Sequence, residues 1–131
     1  MVIGLNEPPR VFCYGTLLPG QERWVHLEPY VTDQVADRVG GRLYDTGLGY
    51  PAARFDEVGN IVGRTFELDR SAADEALDLL DEIEGAVEGL YHRVSLVTMT
   101  GARAFAYQYG GPPEALRAIR SGSWQIGRAH V

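Results

Sequence analysis

Val11-Phe12-Cys13-Tyr14 is a short, wholly apolar run that Gly15 stops, the pattern of a buried strand. Residues 21–33 carry a weaker pattern that predicts a short irregular helix. Gln34 to Tyr44 reads as a strand that Gly40-Gly41 bends or bulges. A Gly/Pro loop follows from Asp45 to Pro51. Asp56 to Asn60 marks a hairpin turn, and Ile61 to Leu68 is the next strand. Beyond residue 90, Tyr91–Met99 and Arg103–Tyr109 alternate as strands joined at Thr100-Gly101-Ala102. A helical patch is predicted over Glu114–Arg120. The strand-rich order with one strong helix predicts an α+β fold, a small mixed and mainly antiparallel β-barrel, rather than alternating βαβ units.

That helix is predicted over Ser71–Glu84, where the period changes to 3.6. Ser71, with Asp74 three residues on, resembles a capping box, and Gly85 supplies the stop. At 100° per residue from Ala73, the residues Ala73, Ala76, Leu77, Leu80 and Ile83 fall within an arc of about 120°. Asp74, Glu75, Asp78, Asp81 and Glu82 fall outside it and read as a solvated face. Glu84 falls at about 20°, among the apolar residues. A carboxylate turned toward a core is costly unless paired or protonated, and desolvation lifts its pKa toward the range of a general acid/base. The other reading is that Glu84 ends the helix and frays outward or caps a neighbour.

Length and composition narrow the possibilities. The 131 residues, 45% apolar and 23% charged, suit one ordinary globular domain over 1–131, with residues 1–10 and 125–131 as loose ends. No apolar run reaches a membrane-spanning length, and the N-terminus has no signal-peptide pattern. A net charge of −6 argues against nucleic acid as a partner. Most of the acidity lies in residues 67–88, which hold nine acids and one base; the rest of the chain is slightly basic. Every basic side chain is Arg, so lysine Schiff-base chemistry is excluded. Cys13 is the one cysteine, which excludes an internal disulfide and a Cys-rich zinc site and fits a cytoplasmic protein. In the middle of an apolar strand with no histidine near, it reads as a buried thiol rather than a nucleophile. His26, His92 and His130 have no metal-ligand spacing, and His92 alternates with Tyr91, so the two should face opposite ways.

Tyr14-Gly15-Thr16-Leu17 leaves a strand through a glycine, a turn that presents backbone N–H groups to an anion, with the Thr16 hydroxyl beside them. Four segments together resemble the γ-glutamylcyclotransferase-like superfamily. Phe12-Cys13-Tyr14-Gly15-Thr16-Leu17-Leu18-Pro19-Gly20 is similar to its first loop. Arg42-Leu43-Tyr44-Asp45 through Gly49-Tyr50-Pro51 is similar to its second loop. Leu80-Asp81-Glu82-Ile83-Glu84-Gly85 resembles its helix end, and Leu90-Tyr91-His92-Arg93-Val94 its strand start. The order agrees, and the likeness runs from Val11 to Trp124.

This resemblance implies a small mixed barrel with a cavity at one end and a small γ-glutamyl substrate. It implies that Glu84 is the general acid/base, that Tyr91 places a hydroxyl in the cavity, and that Tyr14, Gly15, Thr16 and Leu17 hold the substrate. No cofactor and no metal are implied. The Tyr-Gly-Thr-Leu form of the loop is closer to γ-glutamylamine cyclotransferases and short bacterial members than to the Ser-Asn form of animal glutathione-pathway enzymes. The implied reaction is attack of a γ-glutamyl α-amine on its own γ-carbonyl, giving 5-oxoproline and a free amine. A non-catalytic binding module on the same fold and a biosynthetic remover of γ-glutamyl caps are the alternatives. Trp124 is expected as a packed aromatic, with closure of the cavity as its other reading. Monomer and homodimer are both open.

Overall fold

In the computed structural model, residues 7–85, 91–111 and 116–124 are described. Strand β1 (Arg10–Cys13) lies in the middle of a five-stranded sheet, with Val11 and Cys13 in one apolar cluster and Phe12 in another. Successive side chains of a strand point to opposite faces, and both faces here are covered, so the run is apolar throughout instead of alternating.

β1 pairs antiparallel with β5 (Asn60–Leu68) and parallel with β7 (Arg103–Tyr109), where Val11 faces Phe66 on one side and Phe105 on the other. β2 (Val31–Gly40) runs antiparallel along β5, and β6 (Tyr91–Val97) antiparallel along β7, giving the order β2-β5-β1-β7-β6. A smaller antiparallel sheet has the order β4-β3-β8, from β3 (Arg42–Asp45), β4 (Pro51–Arg54) and β8 (Arg117–Ala118). The bend predicted at Gly40-Gly41 is where the chain crosses from one sheet to the other. Gly41 has φ +143°, and a Cβ there would sit 2.7 Å from the Arg54 carbonyl oxygen, so a side chain is excluded.

The α+β class holds, but the strands do not close into the expected barrel. The edges of the large sheet, β2 and β6, are not paired as strands among the described residues, and the Met99 N–H beyond β6 donates to the Arg38 carbonyl at 2.8 Å at one corner. Asp37 organises that corner. Its side chain, 5% exposed, accepts from the Thr65 hydroxyl at 2.7 Å, the Thr100 hydroxyl at 2.8 Å and the Thr100 N–H at 3.2 Å. Burial alone would raise its pKa; hydrogen bonds from Thr98, Thr65, Thr100 and the Arg38 N–H outweigh that, and the net direction is down. A carboxyl that ionises more readily in the folded chain stabilises the fold above its unfolded pKa of about 3.9, and the contribution is lost as pH falls through the lower folded value. Urea unfolding should therefore show stability falling below about pH 4 in the parent, and a flatter acid response in Asp37→Asn, which at pH 7 should be less stable by about 1–3 kcal/mol. An Asp37→Asn protein with unchanged stability would remove this role.

Two helical segments flank the sheets. α1 (Trp24–Leu27) continues into a 3₁₀ turn at Glu28–Tyr30, matching the irregular helix predicted at 21–33. α2 (Ala73–Gly85) follows a 3₁₀ turn at Arg70–Ala72 and buries Ala73, Ala76, Leu77 and Leu80, four of the five residues of the predicted arc, while Ile83 is half-buried. Its entry is capped by Asp69 rather than Ser71: the Asp69 carboxylate accepts from the Ser71 N–H at 2.9 Å and from the Ser71 hydroxyl at 2.8 Å. The predicted 114–120 helix is replaced, over its described part, by β8 beside β3. Residues 112–115 lie outside the described residues, as do 1–6 and 125–131; of the loose end predicted at 1–10, Arg10 instead belongs to β1, with its side chain paired to Glu67 at 3.2 Å.

Candidate active site

A narrow cavity opens where β1 runs out into the first loop. It holds about 400 Å³ of empty space, its open mouth included. Tyr14, Gly15, Thr16, Leu17, Glu84 and Tyr91 all line it, so the structure gathers in one place every site residue predicted from the sequence.

The first loop is a turn in which the Leu18 N–H donates to the Gly15 carbonyl at 3.0 Å. Among the described residues, no backbone carbonyl accepts from the N–H of Gly15, Thr16 or Leu17. Gly15 is required by contact rather than by dihedral angle. A Cβ on it would lie 2.5 Å from Pro51 Cγ and 2.9 Å from Pro51 Cδ. Those are atoms of a rigid ring, so the loop reaches Pro51 only because position 15 has no side chain.

Glu84 sits in the last turn of α2, one turn after buried Leu80, and is partly buried beside the loop. Burial pushes its pKa up to about 7, against the opposing pull of the Arg23 guanidinium. The Tyr91 hydroxyl does not point freely into the cavity: it donates to the Pro51 carbonyl at 2.5 Å, and burial together with the nearby Glu84 charge raises its pKa. The Tyr91 ring stands edge-on to Tyr50 and Tyr109, with centroids 6.1 and 5.5 Å away.

Tyr50 and Pro51 line it from the second loop, and two further lining residues, Arg23 and Tyr107, have no sequence signal of their own. Arg23 reaches the cavity because its N–H donates to the Thr16 carbonyl at 2.7 Å, folding the start of the helical segment back onto the loop. Tyr107 is held at both ends: its carbonyl accepts from the Tyr14 hydroxyl at 2.6 Å, and its own hydroxyl donates to Asp81 at 2.6 Å. Asp81 also pairs with Arg93 at 3.4 Å. It is thus a support of the cavity wall and not simply one of the solvated acids of α2.

The remaining candidates fall outside the chemistry. Cys13 lines the cavity but is 3% exposed, and burial, then the Glu84 charge, pushes its thiol pKa well up, as suits an inert thiol. His26 and His92 are exposed, and His92 points away from buried Tyr91 as the alternation predicts. His130 lies outside the described residues. Trp124 is packed with Phe12, Val39 and Leu43 and does not border the cavity.

Comparison with known proteins identifies the family and the fold. The family described as gamma-glutamyl cyclotransferase, AIG2-like, matches residues 11–126. A protein of Halalkalibacterium halodurans provisionally named a gamma-glutamylcyclotransferase is 36% identical over 92 residues, which are 66% of this chain and 79% of that protein. Among solved structures, an uncharacterized protein of Pyrococcus horikoshii superposes with a TM-score of 0.72 at 26% identity, covering 93% of this chain and 94% of that one. An AIG2-like protein of Mus musculus superposes with a TM-score of 0.66 at 18% identity, covering 91% and 89%, a likeness of fold alone.

Proposed function

This chain belongs to the AIG2-like gamma-glutamyl cyclotransferase family, and from that premise we propose that it cyclises the γ-glutamyl group of a small γ-glutamyl amine or amino acid, releasing 5-oxoproline and an amine. The observation that carries the reading is the meeting of Glu84 with the Tyr14–Leu17 loop in one cavity. Ring closure needs a folded substrate, and a narrow cavity that orients it removes part of the entropic barrier.

In this reading the Glu84 carboxylate takes a proton from the substrate α-ammonium. The freed amine attacks the γ-carbon, and the carbonyl oxygen becomes an oxyanion. The N–H groups of Thr16 and Leu17 donate to that oxyanion or to a substrate carboxylate. Protonated Glu84 then delivers its proton to the leaving nitrogen, the old C–N bond breaks, the ring nitrogen gives up its second proton to the departing amine, which leaves as an ammonium, and the Glu84 carboxylate is restored. A single group near pKa 7 suits both halves, because it is neither too weak a base nor too weak an acid at neutral pH. Tyr91 acts as a wall: its bond to Pro51 fixes the second loop against β6.

The test is 5-oxoproline release by the parent protein across γ-glutamyl amines, amino acids and peptides. Turnover of at least one class is expected. Tight binding of 5-oxoproline with no turnover of any member would replace the enzyme by a binding module.

A further inference from the structure

Two opposite charges share the cavity without being joined. Arg23 and Glu84 both line it, yet among the described residues neither side chain makes an ion pair with the other or with anything else. Ion pairs among the described residues include those of Arg10, Arg54 and Arg93. The Arg23 backbone is tied to Thr16, so its stem starts beside the loop, and its charge is felt at Glu84. An acid and a guanidinium set apart across a small cavity match a ligand that carries an ammonium and a carboxylate on one carbon.

We propose that Arg23 binds the α-carboxylate of the substrate, so that Arg23 and Glu84 together read the α-amino-acid head of the γ-glutamyl group. The assignment rests on the γ-glutamyl reading above and divides the work of the site. With the α-carboxylate on Arg23, the α-nitrogen one carbon away is presented to Glu84, the base that must deprotonate it. The loop N–H groups are then left for the oxyanion. A planar guanidinium also grips a carboxylate with two parallel hydrogen bonds, which fixes rotation about the Cα bond and aims the amine. Specificity then resides in the glutamyl head, and the amine half lies toward the open mouth.

The experiment pairs each ligand with its carboxylate-free analogue. Turnover is compared for γ-glutamyl-butylamine and 4-aminobutyryl-butylamine, which cyclise to 5-oxoproline and 2-pyrrolidinone, and the two products are titrated calorimetrically. The parent protein should prefer the carboxylate-bearing member on the order of 100-fold, and Arg23→Gln should bring that preference to within about threefold. Arg23→Lys, which keeps the charge but loses the fork, should retain part of it and gives a second reading should the Gln variant fold poorly. An undiminished preference in both variants overturns the role of Arg23 while leaving the cyclotransferase reading intact. An Arg23-dependent preference in binding, with no turnover of either substrate, supports the Arg23 role and overturns the enzyme reading. Absence of both binding and turnover in the parent overturns both.

Discussion

Replacing Glu84 by Gln should abolish nearly all 5-oxoproline release, by about 10²- to 10⁴-fold, the usual contribution of a positioned acid/base. The amide fills the same space and can neither accept nor return a proton. The parent enzyme should show kcat/KM rising with pH through about 7, as the Glu84 carboxyl loses its proton and becomes the base. The neighbouring tyrosines, Tyr14 and Tyr91, have pKa values raised by burial and stay neutral in that range, as does the Cys13 thiol. The same substitution makes an opposite prediction for stability. A carboxyl whose folded pKa lies above its unfolded value disfavours the fold once ionised. The penalty is absent below about pH 4.5, grows up to about 7 and is complete above it. Glu84→Gln should therefore be more stable than the parent at pH 8, by roughly 1–3 kcal/mol after allowing for partial exposure, and no more stable at pH 4. An inactive variant with a raised Tm at pH 8 could not be dismissed as misfolded. Turnover within tenfold of the parent would remove Glu84 from the mechanism.

Leu80→Ala should be the most damaging substitution away from the cavity's polar groups. Leu80 is 1% exposed and lies in the cluster that includes Val11, Leu27, Phe66 and Leu77. Truncation removes apolar contacts and leaves a void, at a cost of about 2–5 kcal/mol, or a fall in Tm on the order of 10 °C for a chain of this size. Glu84 stands one helical turn further on, so the loss should also loosen the carboxylate's aim and lower kcat in the protein that remains folded. Leu80→Met keeps the volume and should cost less than about 1.5 kcal/mol. Thermal scans and assays on the two variants separate the packing effect from any chemical one; equal Tm values would remove the anchoring role.

The strongest periodicities in the sequence mark the elements that the structure contains: β1, β5, β6, β7 and α2 all follow from runs of five residues or more, or from a fully buried strand. The wheel that set Glu84 apart from its acidic neighbours needed only the 3.6 period, because the helix is regular to its last turn. β4 escaped because Pro51-Ala52-Ala53 has little strand propensity; small residues are used there because both faces are closely covered. β8 is two residues long and owes its form to pairing with β3. Barrel closure failed as an expectation because alternation tells which side of a strand is buried, not whether the last strand meets the first. Asp81 sits on the helix face that looks solvated, and its partner Tyr107 is 26 residues away. Arg23 likewise depends on a loop folding back through one hydrogen bond to Thr16. Contacts of that kind have no period.

The position of Cys13 has a practical consequence. It is the chain's one thiol, it lies in the floor of the cavity, and there is no lysine to compete for an electrophile. A thiol so covered, with its ionisation suppressed, reacts only during the moments when the first loop parts from Pro51. The rate at which a small alkylating reagent consumes it is accordingly a clock for the breathing of the pocket, readable by mass in the native protein without any label. A ligand that holds the loops together slows that clock, so occupancy and opening are recorded by one atom that takes no part in the chemistry.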